Sequence, residues 1–192
     1  KGILVCNIAA SRLILPSPNI FKDSIVKISV GEEYDQHGLL HKLKEIGYCK
    51  VTQVQTQGEF SIRGDILDIF EMSQLEPFRI EFFGDEVDGI RTFEVETQLS
   101  KENQTELTIF PASDILLRER DYTRGQSALE KQISKTLSPI LKSYLEEILS
   151  SFHQRQVHSD SRKFLSLCYD KTWTIFDYIE KDTPVFFDDY QK

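Results

Sequence analysis

Three carboxylates in the middle of the chain, Asp65, Asp68 and Glu81, are the residues whose type first suggests chemistry. Clustered carboxylates hold the metal ions of two-metal nucleases. However, Phe82 and Phe83 follow Glu81, and no lysine stands two residues beyond it to help position a nucleophile. Segment 81–83 is more typical of a pleated strand with one polar position. A DNA-binding or metal-dependent nuclease domain acting on damaged DNA is therefore kept only as an alternative to the non-catalytic interpretation developed below.

Two histidines offer a second pattern that could bind metal. His37 and His41 are four residues apart, and Glu45 continues the series. This spacing places all three on one helix face. The same spacing also describes a solvated polar face opposite Leu39 and Leu43, and no further cysteine or histidine is placed to complete a tetrahedral site. We expect no metal site here.

Motifs that cradle phosphate are missing from the sequence. It contains neither G-x-x-x-x-G-K-[ST] nor G-x-G-x-x-G, and it contains neither H-E-x-x-H nor G-x-S-x-G. The chain is therefore expected to have no catalytic residues and no cofactor, and to be neither an ATPase nor a nuclease by itself.

The strand expected at 78–83 has an aromatic residue, Phe83, at a position that should face away from the core. Alternation places two sets of side chains on opposite faces: Phe78, Ile80 and Phe82 towards a core, and Arg79, Glu81 and Phe83 outward. Arg63 is outward on its own strand. An exposed aromatic flanked by arginines is typical of a protein-binding hot spot. Two other interpretations stay open: a helix covers this face, or the following turn rotates Phe83 inward.

Periodicity predicts the elements that position these residues. A helix is expected at 35–46, with Asp35 as N-cap and Gly47 just beyond its end. From Tyr48 to Phe93 the apolar period is two, and Gly84-Asp85 suits a two-residue hairpin turn. The sequence predicts a small, mostly antiparallel sheet carrying one helix in this region, with strands at 51–54, 60–63, 66–70, 78–83 and 87–93. Further strands are expected at 2–8, 25–30, 107–111 and 183–187.

The last third of the chain is predicted to be mainly helical. Leu129, Ile133 and Leu137 form one stripe, and Ser138-Pro139 begins the next helix. Segment 154–163 is polar and expected to be a loop, and 172–179 a short helix. We expect the strands at 2–8 and 183–187 to share one sheet, which would make the middle of the chain a separate, inserted domain.

Composition limits the class of protein. The 192 residues carry a net charge of −8, and the apolar runs are too short to span a membrane. The cysteines are three and widely spaced, which fits a reducing, cytoplasmic setting better than a disulfide framework or zinc site. The acidic balance argues against strong DNA binding and favours a basic partner surface or solubility. The missing initiator Met suggests a piece of a longer protein.

Two blocks carry a family resemblance: GEFSIRGDILDIF at 58–70 and RIEFFGDEVD at 79–88. They resemble the UvrA-binding domain shared by UvrB and the bacterial transcription-repair coupling factors. FEVETQLS at 93–100 and IFPASD at 109–114 favour the coupling factors, as does the lack of the aromatic-rich hairpin of UvrB before residue 25. The resemblance is weak over 121–171. Glu71 departs from the family's usual proline, which we expect to affect only a loop entry.

The resemblance implies a fold and a role. Residues 1–24 and 112–192 would be two halves of a degenerate, helicase-like (RecA-like) α/β domain, and 25–111 the UvrA-binding domain inserted in it. Arg63, Arg79 and Phe83 align with the family's UvrA contacts. The longer protein would be an ATP-dependent DNA translocase that uses ATP and Mg²⁺ outside this chain, displaces stalled RNA polymerase and recruits UvrA for nucleotide excision repair.

Overall fold

The computed structural model describes residues 3–155 and 159–186, and for 159–161 the backbone alone. Six α-helices lie in this part: α1 Ile8–Ser11, α2 Pro18–Asp23, α3 Gln36–Glu45, α4 Glu119–Lys135, α5 Pro139–His153 and α6 Leu165–Cys168. Short 3-10 helices span Ser159–Phe164 and Ile175–Asp177. Eight strands are described: β1 Val26–Ser29, β2 Cys49–Lys50, β3 Glu59–Arg63, β4 Ile66–Ile69, β5 Phe78–Phe83, β6 Glu86–Phe93, β7 Ser100–Gln104 and β8 Glu106–Ile109.

The chain folds into two compact units. One comprises Asn19–Leu116, and the other comprises Lys1–Pro18 with Leu117–Lys192. None of the helices in the described ranges is long and apolar enough to cross a membrane.

The Asn19–Leu116 unit contains all eight strands, in two sheets. The larger sheet has the order β2-β3-β4-β5-β6-β7, and the smaller pairs β1 with β8. Only the short β2–β3 pair is parallel; the other described pairs are antiparallel. The predicted mixed α/β fold with a mostly antiparallel sheet is confirmed. Its insertion in a helicase-like domain, with boundaries at 24 and 111, stays a prediction.

One face of the large sheet forms the main core of this unit. Its buried side chains come from alternate positions of neighbouring strands and include Phe60, Leu67, Ile69, Phe78, Ile80, Phe82 and Ile90. Leu39 and Leu43 of α3 belong to the same cluster, as predicted. Asp35 caps α3 through its side chain, and Gly47 adopts a φ of 97° directly after the helix. The helical stripe and the strand period of two thus converge on one buried layer.

The other unit contains a helical core around α4, α5 and α6. Leu129, Leu145, Ile148, Phe152 and Cys168 are its buried members. Ser138 caps α5 with Pro139 in the first turn, as predicted. The predicted continuation of the α4 stripe to Leu137 is wrong, because α4 ends at Lys135 and Leu137 is 98% exposed. Thr136 is already extended, since the chain must leave the helix before the following cap and proline.

Several strand predictions are wrong. Residues 3–7 and 183–186 lie in the described part and form no strand, while Phe187, the end of the last predicted strand, lies outside it. The strand expected across Val51 and Val54 is absent from the described structure; β2 is confined to Cys49–Lys50. The expected helix at 172–179 is a three-residue 3-10 turn, and the expected loop at 154–163 includes part of another 3-10 helix. Apolar composition alone did not reveal which of these segments find a neighbouring strand.

Candidate protein-docking surface

The face of the large sheet opposite the main core carries a cluster of charged side chains. The strand register places these charged residues, with the uncharged residues paired to them, in two rows across the sheet. The first row contains Ser61, Asp68, Arg79 and Arg91, and the second contains Arg63, Ile66, Glu81 and Gly89. Three arginines and two carboxylates therefore share this face, in a chain whose net charge is −8.

Phe83 ends β5 on this charged face. Its side chain is 82% exposed, whereas Phe82 beside it is 6% exposed. Burial alternates along β5 to its last residue, although its pairing with β6 shifts register between Glu81 and Phe82. Phe83 pairs with Glu86 across the two-residue turn Gly84-Asp85. Gly84 supplies the positive φ of 64° that this hairpin turn requires. Both alternative interpretations, cover by a helix and rotation into the core, disagree with this exposure.

The hairpin tip that carries Phe83 is held on two sides. On one side, Phe82 donates its backbone N–H to the carbonyl of Asp65 in the neighbouring hairpin turn at 2.8 Å. On the other, the backbone N–H of Tyr34 donates to the Asp85 carbonyl at 2.7 Å, and the backbone N–H of Gly31 donates to the Val87 carbonyl at 2.8 Å. An exposed aromatic ring on a fixed backbone loses little conformational entropy on binding, which favours a role in docking.

Asp68 lies at the centre of the charged face. Its side chain is 1% exposed and accepts hydrogen bonds from two arginines. Arg63 Nη2 donates to Oδ2 at 2.8 Å, while Arg79 donates from Nε to Oδ1 at 2.7 Å and from Nη2 to Oδ2 at 3.0 Å. A buried carboxylate requires such partners, because an unpaired charge in this position would be strongly destabilising.

Arg79 is more enclosed than the strand pattern predicts. Its side chain is on the expected face but only 14% exposed. Nη1 donates to the Gln98 carbonyl at 3.1 Å, and the guanidinium carbon lies 4.8 Å from the centre of the Phe93 ring. The hydrogen bonds to Asp68 raise the pKa of Arg79 above its ordinary value, although burial acts in the opposite direction. The predicted single exposed patch thus contains two exposed members, Arg63 and Phe83, and one enclosed member.

Two of the three carboxylates considered for a nuclease, Asp68 and Glu81, are paired with arginines. Glu81 accepts from Arg91 Nη2 at 2.6 Å, and Asp68 is shared by Arg63 and Arg79. On the predicted helix face, His41 Nδ1 lies 3.4 Å from Glu45 and both side chains are well exposed. Within residues 3–155 and 159–186, the structure brings together no group of three or more His, Cys, Asp or Glu side chains suited to a metal ion.

The role of Asp68 was not predicted from the sequence. Its carboxylate was expected only as a candidate metal ligand, and Arg91 and Phe93 were not predicted as neighbours of the arginines. One signal was available: Asp68 stands alone in the apolar run from Ile66 to Phe70. A charge in a half-buried strand needs a partner of opposite sign on a neighbouring strand, and Arg63 and Arg79 were the outward candidates.

Comparison with known proteins identifies the sheet-containing unit. Residues 26–114 match the model of the UvrB interaction domain. Transcription-repair-coupling factors are similar over nearly the whole chain: that of Bacillus subtilis (strain 168) is 32% identical over 198 residues, and that of Staphylococcus haemolyticus (strain JCSC1435) is 34% identical over 199. The matches cover 99% and 100% of this chain but 17% of each relative, so the chain spans about a sixth of their length.

The matched segment contains both motif blocks and all three candidate contact residues, so the predicted resemblance is confirmed. The chain is similar along its length to one part of the transcription-repair-coupling factors, and its residues 26–114 carry the similarity to the UvrB interaction domain family.

Proposed function

We propose that this chain is a non-catalytic docking module that binds UvrA through the charged face of its large sheet. Phe83, 82% exposed on a held hairpin tip beside paired arginines, is the observation that carries the proposal. The longer protein would be a transcription-repair-coupling factor: an ATP-dependent DNA translocase that displaces stalled RNA polymerase and recruits UvrA in nucleotide excision repair. ATP and Mg²⁺ would act outside this chain.

Geometry supports a single contact area that includes Arg63 and Phe83. Arg63 is at the level of Glu81 in the register, and Phe83 is two residues further along β5. Two strand spacings across the sheet and two residues along it separate the two Cα atoms by about 12 Å. Both side chains can therefore reach one patch of a standard-sized interface.

The chemistry of the two side chains predicts the surface that receives them. The guanidinium of Arg63 is a planar fork of donors suited to a carboxylate. The ring of Phe83 gains most from leaving water when it enters an apolar recess. We expect the UvrA surface to place an acidic side chain next to an apolar pocket.

Affinity measurements on single variants test this proposal. Phe83→Ala is expected to weaken UvrA binding by about 2 kcal/mol, or roughly thirtyfold, because truncation of a central hot-spot residue has this effect. Arg63→Ala is expected to weaken binding in the same direction. Binding of purified UvrA to the chain, measured by titration calorimetry or surface plasmon resonance, gives the values.

Leu75→Ala is the matched control, because Leu75 is 92% exposed in the loop at the opposite end of β5. It should bind UvrA as the unchanged chain does. The proposal fails if Phe83→Ala and Arg63→Ala are folded and bind UvrA with unchanged affinity.

A further inference from the structure

The two arginines that bind Asp68 differ in how many of their guanidinium N–H donors already make hydrogen bonds within the unit. Arg79 donates from Nε, Nη1 and Nη2 to groups within the unit, and its side chain is 14% exposed. Arg63 donates from Nη2 to Asp68, and its side chain is 55% exposed. An arginine has five N–H donors in a rigid fork, so Arg63 keeps donors directed at solvent while one edge is held.

We infer that Asp68 and Arg79 are positioning residues of the docking surface, and that Arg63 is the arginine that touches the partner. This inference rests on the proposed function and assigns separate roles within it. Asp68 fixes the guanidinium of Arg63 from below the surface. Arg79 fixes the Asp68 carboxylate through two hydrogen bonds and is itself held by the Gln98 carbonyl.

Two physical effects give this arrangement its value for docking. A long exposed arginine loses rotamer freedom when it binds, and an arginine already held in place loses less. In addition, the positive charge of Arg79 balances Asp68 and leaves that of Arg63 free to attract an acidic partner. Without Arg79, the carboxylate would offset Arg63 at the surface where the partner's carboxylate must approach.

A double-mutant cycle on UvrA affinity tests the role of Asp68. Asp68→Asn removes the charge and keeps the shape, and it is expected to weaken binding about tenfold, the order of coupling seen between contacting residues. In the Arg63→Ala background the same change should have less than about a twofold effect, because the side chain that Asp68 positions is gone. In the Phe83→Ala background its effect should be undiminished. Thermal unfolding shows which variants are folded.

Ser61→Ala is the control for disturbance of this region. Ser61 pairs with Asp68 across β3 and β4, is 1% exposed, and its hydroxyl has no hydrogen-bond partner among the described residues. Ser61→Ala should leave UvrA affinity unchanged. If Asp68→Asn is unfolded at the assay temperature, Asp68→Glu replaces it in the cycle, because it keeps the charge and displaces the oxygens; the same pattern is expected.

Arg79→Lys tests the other half of the inference. Lysine keeps a cation beside Asp68 but cannot make the two-point hydrogen bond, so the folded variant should weaken UvrA binding through the loss of Arg63 positioning. In the Arg63→Ala background the same change should have less than about a twofold effect. An equal loss with and without Arg63 would show that the partner uses the Arg79 guanidinium itself, and would overturn the inference, as would unchanged binding by a folded Asp68→Asn. Equal effects of Asp68→Asn with and without Arg63 would also overturn it. If Arg63→Ala and Phe83→Ala bind normally, the proposed function fails instead.

Discussion

Burial separates residues that the strand pattern had grouped together. Arg63, Arg79 and Phe83 all point away from the main core, as alternation predicts, yet their exposed fractions are 55%, 14% and 82%. Alternation specifies a face of a sheet, but it carries no information on what a neighbouring side chain covers. Truncation of each residue should therefore change folding stability and partner binding in different proportions.

Arg79→Ala is expected to lower the free energy of unfolding by about 2–3 kcal/mol, because it leaves a buried carboxylate with a single arginine partner. Phe83→Ala should change this free energy by less than about 0.5 kcal/mol, as is usual for an exposed side chain. Urea unfolding monitored by circular dichroism gives both values. Equal unfolding midpoints for the two variants would contradict the assignment of Arg79 to the interior of the charge cluster.

Glu71 shows a limit of reasoning from a family pattern. Its replacement of a usual proline was expected to affect only a loop entry. In the structure Glu71 is 0% exposed and accepts from the backbone N–H of Phe110 at 3.2 Å and from the hydroxyl of Ser73 at 2.6 Å. The Tyr48 hydroxyl donates to the Phe110 carbonyl. Burial raises the pKa of Tyr48 most, and the charge of Glu71 raises it further. Glu71 therefore links the end of β4 to the end of β8.

At the scale of elements, the sequence predicted best where one face is strongly apolar. Strand β5 has a clear period of two. Both β5 and β6 were predicted within a residue of their bounds, although register shifts interrupt the alternation of β6. Strand β7, Ser-Lys-Glu-Asn-Gln, was not predicted, because it lies at the sheet edge with both faces polar and shows no periodicity. Residues 3–6 are apolar yet form no strand, since a strand also requires a hydrogen-bonded neighbour.

The helical unit contains a close approach that periodicity could not show. A Cβ atom at Gly125 of α4 would lie 2.6 Å from Cys168 Sγ and 2.9 Å from Cε2 of Phe152. Gly125→Ala is therefore expected to destabilise this unit by about 1–3 kcal/mol through overpacking, which outweighs a gain in helix propensity of about 1 kcal/mol. Lys131→Ala, at an exposed position of the same helix, is the control and should be nearly neutral.

The reactivity of the Cys168 thiol measures the effect of overpacking at Gly125 in the helical unit specifically. Burial raises the pKa of its thiol to about 12, and the nearby charge of Asp121 acts in the same direction. The reactive thiolate is therefore scarce at neutral pH, and Cys168 should react with Ellman's reagent much more slowly than the exposed Cys6 and Cys49. Gly125→Ala should accelerate the slow phase. An unchanged slow phase and an unchanged unfolding midpoint would contradict the overpacking argument.

At the scale of the whole molecule, the chain corresponds to one part of the longer proteins that it resembles. It spans about 17% of the transcription-repair-coupling factors that resemble it. The three residues predicted to contact UvrA lie within Asn19–Leu116, a unit with a core of its own. The two motif blocks lie in paired strands whose side chains alternate between the core and the charged face.

The overall charge favours docking to a protein over direct binding to DNA. The chain has 23 basic and 31 acidic side chains, and the three arginines on the charged face are paired with Asp68 and Glu81. A duplex would gain few phosphate contacts, because each would compete with a carboxylate already in place. We expect duplex DNA to bind with a dissociation constant no tighter than about 10 μM at physiological salt. Fluorescence polarisation with labelled duplex measures it. Sub-micromolar binding that weakens steeply with added salt would instead favour the DNA-binding alternative.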